Sequence, residues 1–592
     1  MSTSGQVIVD DKSSTGGRWW LAVSIAACLI TVAYTAWPVF RNPQLEPDDY
    51  RYLEQVRLLR QDFLGNISRA SVIENKWDQL WWIDVHEKVR FFRPIVVLSY
   101  WLDIAIHGNN DPLSLLSTNI LIYSTCVILV CLILYRWIGQ GLPFFASCVL
   151  FSAFVAHGEV MWYVAGRTDS LAALFLLSGL TLHIYGKQRP ALRWWAVPCF
   201  VFSLLTKELT AFLPLILILS DLWIEIRAVN VKALLKQEWK LYATYVVIAA
   251  SFFAIRLQFI SGSDTGYPYP YFVTLRNPNF LSHLFGQLNS YCANLLFAIE
   301  TIPFKVWTDF ELTESLSGAV PGIAIFVLCS VFLIRERKYW ILVLVGLVSW
   351  VPIMFVYQSE RYLFLPSFAV AGAAGLFLAE LNHRKWKIYY PALLLCIVWM
   401  GHQAYFLQAK NKNISELRLA ERIGRQLRDL KPSIVKGSKL LLLNLPGDIL
   451  QDQFIEDQLR VQLDDPKLDV TVVTPMPELF DMGTNMTVSK EGENTFILTD
   501  TPVMVHGEDH FPWVKLDTAS KYTTRSGIII EVLEAEEDAC EALRCVLPHR
   551  LSDYILLKWD PAPSTTMLSA NTASIRTPNS RKLLSKVQIL TP

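Results

Sequence analysis

The sequence predicts a polytopic α-helical membrane protein carrying a C-terminal soluble α/β or α+β domain. Two observations carry that reading: long apolar runs recur from about residue 19 to about residue 408, and polar, mixed strand-and-helix sequence takes over from about residue 409. With 53% hydrophobic residues in 592, the chain is too apolar to be a string of ordinary soluble domains. Lys+Arg and Asp+Glu are equal at 53 each, which leaves no cationic excess to neutralise phosphates and argues against a nucleic-acid partner.

Taken in order, residues 1–18 are polar and read as a cytoplasmic N-terminal tail. The run from Arg18-Trp19-Trp20 to about Phe40 is long enough to span the hydrocarbon at helical rise. No small-residue cleavage site follows it, so it reads as a retained signal-anchor. Further apolar runs lie at about 113–136, 141–157, 168–186, 194–206, 208–225, 240–260, 318–335, 339–357, 361–380 and 388–408. Lys207-Glu208 interrupts the stretch 194–225, which is either two short spans or one long helix. Two spans give about eleven in all, and place the basic connections Lys187–Arg193, Arg227–Lys240, Arg335–Lys338 and Arg384–Lys387 on the N-terminal side, as the positive-inside rule requires.

Residues 41–112, about 261–317 and everything beyond about 409 then face outward. In the first of these, Tyr52, Val56, Leu59 and Phe63 mark one face of a helix expected to lie on the membrane interface, with Trp77, Trp81, Trp82, Phe91 and Phe92 as headgroup-level anchors. The C-terminal region, 409–560, shows charged helical sequence at Glu416–Leu430 and strand-like runs at Lys439–Leu443, Leu468–Val473 and Gly527–Val532. Its Ser/Thr/Asn-rich end, 561–592, reads as disordered. Cys540 and Cys545 are the two cysteines in polar sequence; in an oxidising compartment they could form a short-loop disulfide, which their spacing alone does not show. The triplets starting at Asn66, Asn413 and Asn485 read as N-glycosylation acceptors in a eukaryotic source.

This topology gathers ionisable residues from distant stretches at one membrane face: Asp48 and Asp49 after the first span, Arg93 before an apolar helix, and His157, Glu159, Arg167 and Asp169 in one turn. Lys207, Glu208, Glu360 and Arg361 join them at later turns. Each has a plain structural alternative. Asp48 after Pro47 is placed to cap a helix, His157 to sit satisfied at the interface, and Lys207, Glu208, Glu360 and Arg361 to pair or snorkel. The recurrence at the same ends of separate spans favours a site, because ionisable groups at membrane depth face a cavity or one another.

These residues and their neighbours resemble the GT-C class of membrane glycosyltransferases, in particular the protein O-mannosyltransferase-like branch and its bacterial relatives. The resemblance runs from about 19 to 408 and rests on Pro47-Asp48-Asp49-Tyr50, Arg93-Pro94, the stretch His157 to Leu171, Thr206-Lys207-Glu208 and the stretch Glu360 to Ser367. It implies a GT-C-like fold, a polyprenyl-phosphate-linked sugar donor, and an acidic residue of the first loop at the reaction centre. No tetratricopeptide repeat follows the membrane part, so a glycan, lipid or envelope protein is the expected acceptor.

Asp48 and Asp49 are accordingly the candidate general bases for an inverting displacement, with Arg93, Lys207 and Arg361 as candidate phosphate ligands. His157, Glu159, Arg167, Asp169, Glu208 and Glu360 complete the expected binding set. No cofactor is required; a divalent metal held by the carboxylates with His157 is the less favoured alternative. A bacterial inner membrane with the site facing the periplasm is the expected location, or the endoplasmic reticulum membrane in a eukaryote. The competing readings are a lipid-linked substrate transporter or flippase, and an inactive envelope assembly platform.

Overall fold

In this computed structural model the described residues are 15–74, 81, 90–108, 110–225, 231–260, 273, 275–301, 312–333, 337–417, 434, 436–443, 445–446, 455–476, 486–504, 518–536, 539–560 and 586–590. Helix α1, Thr15–Arg41, is followed by α2, Pro47–Gln61, and α3, Phe63–Ala70. Strands β1, Val72–Glu74, and β2, Arg90–Phe92, form an antiparallel pair that leads into α4, Pro94–His107. The bundle continues through α5, Pro112–Ile138; α6, Leu142–Ala153; the short α7, Gly158–Trp162; and α8, Arg167–Tyr185.

Then come α9, Pro190–Trp194; α10, Ala196–Thr206; α11, Leu213–Glu225; and α12, Val231–Ile260. Helices α13, Phe280–Phe297; α14, Leu312–Leu333; α15, Arg337–Trp350; α16, Phe364–His383; and α17, Tyr389–Leu417, close the helical part.

Among the described residues six helices are long and apolar enough to cross a membrane, and α6 with the bent continuation through α7 makes a seventh. Shorter apolar helices at Pro94–His107, Pro190–Thr206, Gly318–Leu333 and Tyr339–Trp350 accompany them. Local sequence sets the boundaries. Asp111 caps α5 by accepting from Ser114 N at 3.2 Å with Pro112 at the first helical position, and Gly139, at φ +97°, ends it. Large apolar side chains on α12, α14 and α17 point outward, including Val246, Phe253, Phe326, Val331, Leu395 and Val398. In a soluble protein such surfaces would be a liability; in a bilayer they are the solvated face, and the chain is built as a multi-pass membrane protein.

The stretch 194–225 breaks at the expected place: α10 stops at Thr206, Lys207 is extended, and a 3₁₀ turn over Glu208–Phe212 precedes α11. Helix α13 was not anticipated, because its His, Gln and Asn residues lower the hydropathy of a segment read as an outer loop.

Among the described residues the C-terminal region supplies a four-stranded mixed sheet and a five-stranded antiparallel one. The mixed sheet runs in the order β13 (Lys586–Leu590), β12 (Tyr554–Asp560), β3 (Lys439–Leu443), β5 (Asp469–Val472). Its β3 and β5 are parallel and joined through helix α18, Ile455–Leu463, while a short parallel pair forms between β4, Leu445–Pro446, and β6, Pro475–Met476. The antiparallel sheet runs β7 (Thr487–Lys490), β8 (Thr495–Met504), β11 (Ala539–Val546), β10 (Ile529–Glu536), β9 (Lys521–Thr523). The end read as disordered thus includes β13, whose Val587 and Ile589 pair with Trp559 and Leu557. The helical sequence read at Glu416–Leu430 lies mostly outside the described residues.

Other expectations are corrected. Tyr52, Val56 and Leu59 are buried, but against α4, α3 and α18 rather than on a membrane surface. Phe63 leaves their face because Asp62 caps a new helix, accepting from Gly65 N at 3.0 Å. Trp81 does not anchor at headgroups: its indole N–H donates to Val473 O at 2.8 Å and its ring lies 5.5 Å from that of Tyr522. Phe91 and Phe92 are buried, and Trp77 and Trp82 lie outside the described residues. Cys540 and Cys545 sit on one strand, β11, at a separation of roughly 16 Å along an extended chain, beyond reach of a disulfide with each other.

Candidate active site

The first turn of α2 holds both candidate bases and treats them differently. Glu46 is the N-cap and Asp49 is the third helical residue, so its carboxylate folds back to accept from Glu46 N at 2.8 Å. The other Asp49 oxygen accepts from Ala165 N at 2.6 Å. Both oxygens are committed to backbone, and burial pushes the Asp49 carboxyl well above the usual carboxylate range against the pull of those N–H donors. Asp49 therefore holds the loop, whereas Asp48 faces the cluster: Tyr163 Oη donates to its Oδ2 and Arg51 Nε lies 2.8 Å from its Oδ1.

Since the folded pKa of Asp49 is raised, its contribution to stability is fully present below the unfolded value of about 3.9 and declines as pH rises through the folded value. Thermal unfolding of Asp49→Asn across that range should accordingly show a flatter pH profile than wild type. Parallel profiles would refute the assignment.

Tyr163 is fixed by a second layer of contacts. Asn119 Nδ2 donates to Tyr163 O at 3.0 Å and to Val164 O at 3.1 Å, and Tyr100 Oη donates to Val164 O at 2.5 Å. Arg167 in turn donates to Asn119 Oδ1 at 2.6 Å and Leu115 O at 2.7 Å, and pairs with Asp103 at 2.7 Å. With no exposed surface, Arg167 is a brace rather than a ligand-binding group. Gly166 is required by close approach, since a Cβ there would lie 2.3 Å from Glu159 O.

Beyond Tyr163 lies the cationic half. Arg361 Nε is 3.7 Å from Asp169 Oδ2, its guanidinium is 5.7 Å from the Tyr163 ring centre, and its Nη2 donates to Tyr357 Oη at 3.2 Å. Lys207 Nζ pairs with the other Asp169 oxygen and lies 4.9 Å from the Tyr362 ring centre. Glu159 positions the segment, accepting from Ser359 Oγ at 2.8 Å and Arg361 N at 3.3 Å. A cavity of about 40 Å³ adjoins the ions; Asp169, Lys207 and Arg361 share its lining with Leu209, Phe212 and Ile353.

The structure thus brings together Asp48, Glu159, Asp169, Lys207 and Arg361, sets Arg93 and Glu208 within electrostatic range of Lys207, and commits Asp49, His157, Arg167 and Glu360 to other partners. His157 is wholly buried among Phe151, Phe154 and Phe364, with its ring nitrogens 2.9 Å from Tyr123 Oη and 2.8 Å from Ser367 Oγ. It is a satisfied core histidine, away from the carboxylates with which a metal was envisaged. Among the described residues no group of three or more His, Cys, Asp or Glu gathers as metal ligands would. Arg93 donates to Tyr52 Oη at 3.2 Å and stacks on Phe91. Glu208 lies 3.5 Å from Arg256.

Glu360 is buried, accepting from Asn294 Nδ2 and Thr301 N, each at 3.0 Å, and pairing with Lys410. Sequence reasoning missed Arg51, Tyr163 and Lys410. The signal for Lys410 was a cation at the end of an apolar run, followed two residues on by Lys412.

Fold and cluster together define a multi-pass membrane protein with a pocket at one end of its bundle, ionisable on one side and apolar on the other. Neither a protein-family model nor a curated protein matches the sequence. Among solved structures, the chain is similar to ArnT from Cupriavidus metallidurans bound to undecaprenyl phosphate, at 13% identity and a TM-score of 0.43, over 78% of this chain and 86% of that one. It is also similar to the Archaeoglobus fulgidus oligosaccharyltransferase in the apo form, at 12% identity and a TM-score of 0.43, over 79% of this chain and 65% of that one. The archaeal oligosaccharyltransferase AglB from A. fulgidus, with an inhibitory peptide and a dolichol-phosphate, matches at 11% identity and a TM-score of 0.46, over 80% and 66%. The chain spans slightly less than two thirds of the archaeal enzyme's length.

Proposed function

We propose that the chain is a GT-C-class membrane glycosyltransferase that moves a sugar from a polyprenyl-phosphate carrier to an acceptor hydroxyl by inverting displacement. The supporting observation is the contact path from Asp48 through Tyr163 to Arg361, Asp169 and Lys207, which sets a carboxylate across from two cations beside an apolar cavity. Asp48 takes the proton of the acceptor hydroxyl as its oxygen bonds to the anomeric carbon. The bond from that carbon to the lipid phosphate breaks, and its electron pair leaves on phosphate, where Arg361 and Lys207 stabilise the charge. The apolar side of the lining, Leu209, Phe212 and Ile353, matches an isoprenoid in chemistry, and the cavity of about 40 Å³ would have to widen to admit one. Undecaprenyl phosphate and dolichol-phosphate, bound in two of the similar structures, are lipids of this class.

The acceptor would be a glycan, lipid or protein on the side of the C-terminal sheets: the periplasm for a bacterial inner membrane, the lumen for endoplasmic reticulum. The test is release of free polyprenyl phosphate from a panel of polyprenyl-phosphate sugars by protein in bilayers with candidate acceptors. Arg361→Ala should raise the KM for the donor about 10–100-fold, the loss of a charged hydrogen bond of about 1.5–3 kcal/mol. If wild type releases nothing from any donor while a control transferase works, a transport or platform role replaces this reading.

A further inference from the structure

Helices α2, α3 and α4 meet at a corner that turns apolar side chains outward. Asp62 ends α2 and caps α3, so Phe63 and Leu64 leave the buried face of α2, and Leu64 is 84% exposed. Helix α4 packs on α3 and shows Leu102 and Ile106, one turn apart, on its outer side at 53% and 68% exposed. Between the helices lies a cavity of about 310 Å³, lined by Leu59, Phe63, Trp101 and Ala105 with Arg60. Its volume falls within the roughly 300–1,000 Å³ of sites that enclose a small ligand. Leu59 is buried at its floor, and the Phe63 and Trp101 rings lie 5.1 Å apart along one wall.

The surroundings of this corner follow from the chain. Helix α4 ends at His107, and α5 starts at Pro112 as a membrane span with Leu113 and Leu121 on its outer side. The corner is thus continuous with a face that the bilayer solvates, at the end of a span, where acyl chains give way to headgroups. An apolar groove at that depth suits an acyl chain, and a guanidinium beside it suits phosphate. Arg60 is exposed and has no ion-pair or hydrogen-bond partner among the described residues, while Asp62, the nearest carboxylate in sequence, is committed to Gly65 N. The Trp101 indole N–H likewise donates to no group among the described residues, which leaves it for a glycerol ester oxygen.

We propose that this groove seats a phospholipid of the surrounding bilayer, one acyl chain lying against Leu59, Phe63 and Trp101 and the phosphodiester on Arg60. This lipid is distinct from a sugar donor. Asp48 lies in the first turn of α2 and Arg60 in the last, roughly 18 Å apart at helical rise, so a phosphate on Arg60 is not one held by Arg361 near Asp48. The inference needs the membrane reading of the bundle and not the transferase proposal.

The experiment uses the full chain in lipid nanodiscs doped with phosphatidylglycerol that carries a diazirine on one acyl chain, with the cross-linked residues mapped by peptide mass spectrometry. Label is expected within residues 59–64 and 101–106, and excess unlabelled phosphatidylglycerol should displace it. Diacylglycerol with the same chains, which lacks the phosphodiester, should compete about tenfold less well, as the loss of a charge-assisted hydrogen bond predicts. Arg60→Glu and Ala105→Trp, both at exposed positions, should each remove most of this label while label on the outer faces of α14 and α17 stays as in wild type. Equal competition by diacylglycerol, wild-type labelling of the corner in both variants, or stronger labelling of it by a polyprenyl-phosphate probe would each overturn the proposal.

Discussion

Asp48→Asn is expected to lower sugar transfer by about 10²–10⁴-fold, the usual worth of a positioned general base, while leaving the fold and donor binding in place. The asparagine keeps an oxygen for the Tyr163 hydroxyl and occupies the same volume, so the second helical position of α2 is not disturbed. It loses the charge that Arg51 neutralises and the capacity to accept a proton. The measurement is single-turnover release of polyprenyl phosphate, with donor retention and thermal unfolding measured in parallel. Asp49→Ala should behave in the opposite way, unseating Glu46 and Ala165 and lowering stability before chemistry is reached. Normal turnover by Asp48→Asn would remove the base from the mechanism.

The second large effect concerns Lys410→Met. Its ammonium is the partner of Glu360, whose side chain is 1% exposed, and removing one member of such a pair leaves the other charged and buried, at about 3–5 kcal/mol. The next residue, Arg361, hangs from the same 3₁₀ turn over Glu360–Leu363, so the donor KM should rise along with the loss of stability. The double variant Lys410→Met, Glu360→Gln should recover most of the stability, because glutamine still presents an oxygen to Asn294 and Thr301 without the charge. A double variant as unstable as the single one would show that Lys410 acts through packing instead.

Apolar runs and the break at Lys207 were legible because bilayer thickness and helical rise leave few alternatives, and the strand runs at Lys439–Leu443 and Leu468–Val473 because they are short and β-branched or leucine-rich. Asp48, Asp169, Lys207 and Arg361 were legible as charges recurring at one end of separate spans. Their division of labour was not. Whether a carboxylate faces a ligand or a backbone N–H depends on the neighbour that tertiary packing brings, and Ala165 lies 116 positions from Asp49. Arg167 and His157 look like site residues in sequence because polar groups braced inside a bundle and polar groups that bind substrate share the same composition. Only the partners, Asp103 and Asn119 for one and Tyr123 and Ser367 for the other, separate them.

The hydrogen bond between Gln462 and Tyr50 joins the C-terminal region to the turn that begins with Asp48. Helix α2 is therefore a shaft shared by two bodies: one end sits in the ion cluster and its flank rests on α18. A displacement of α18 therefore bears on the same helix that carries Asp48, so the seating of the C-terminal region and the position of that carboxylate are set together.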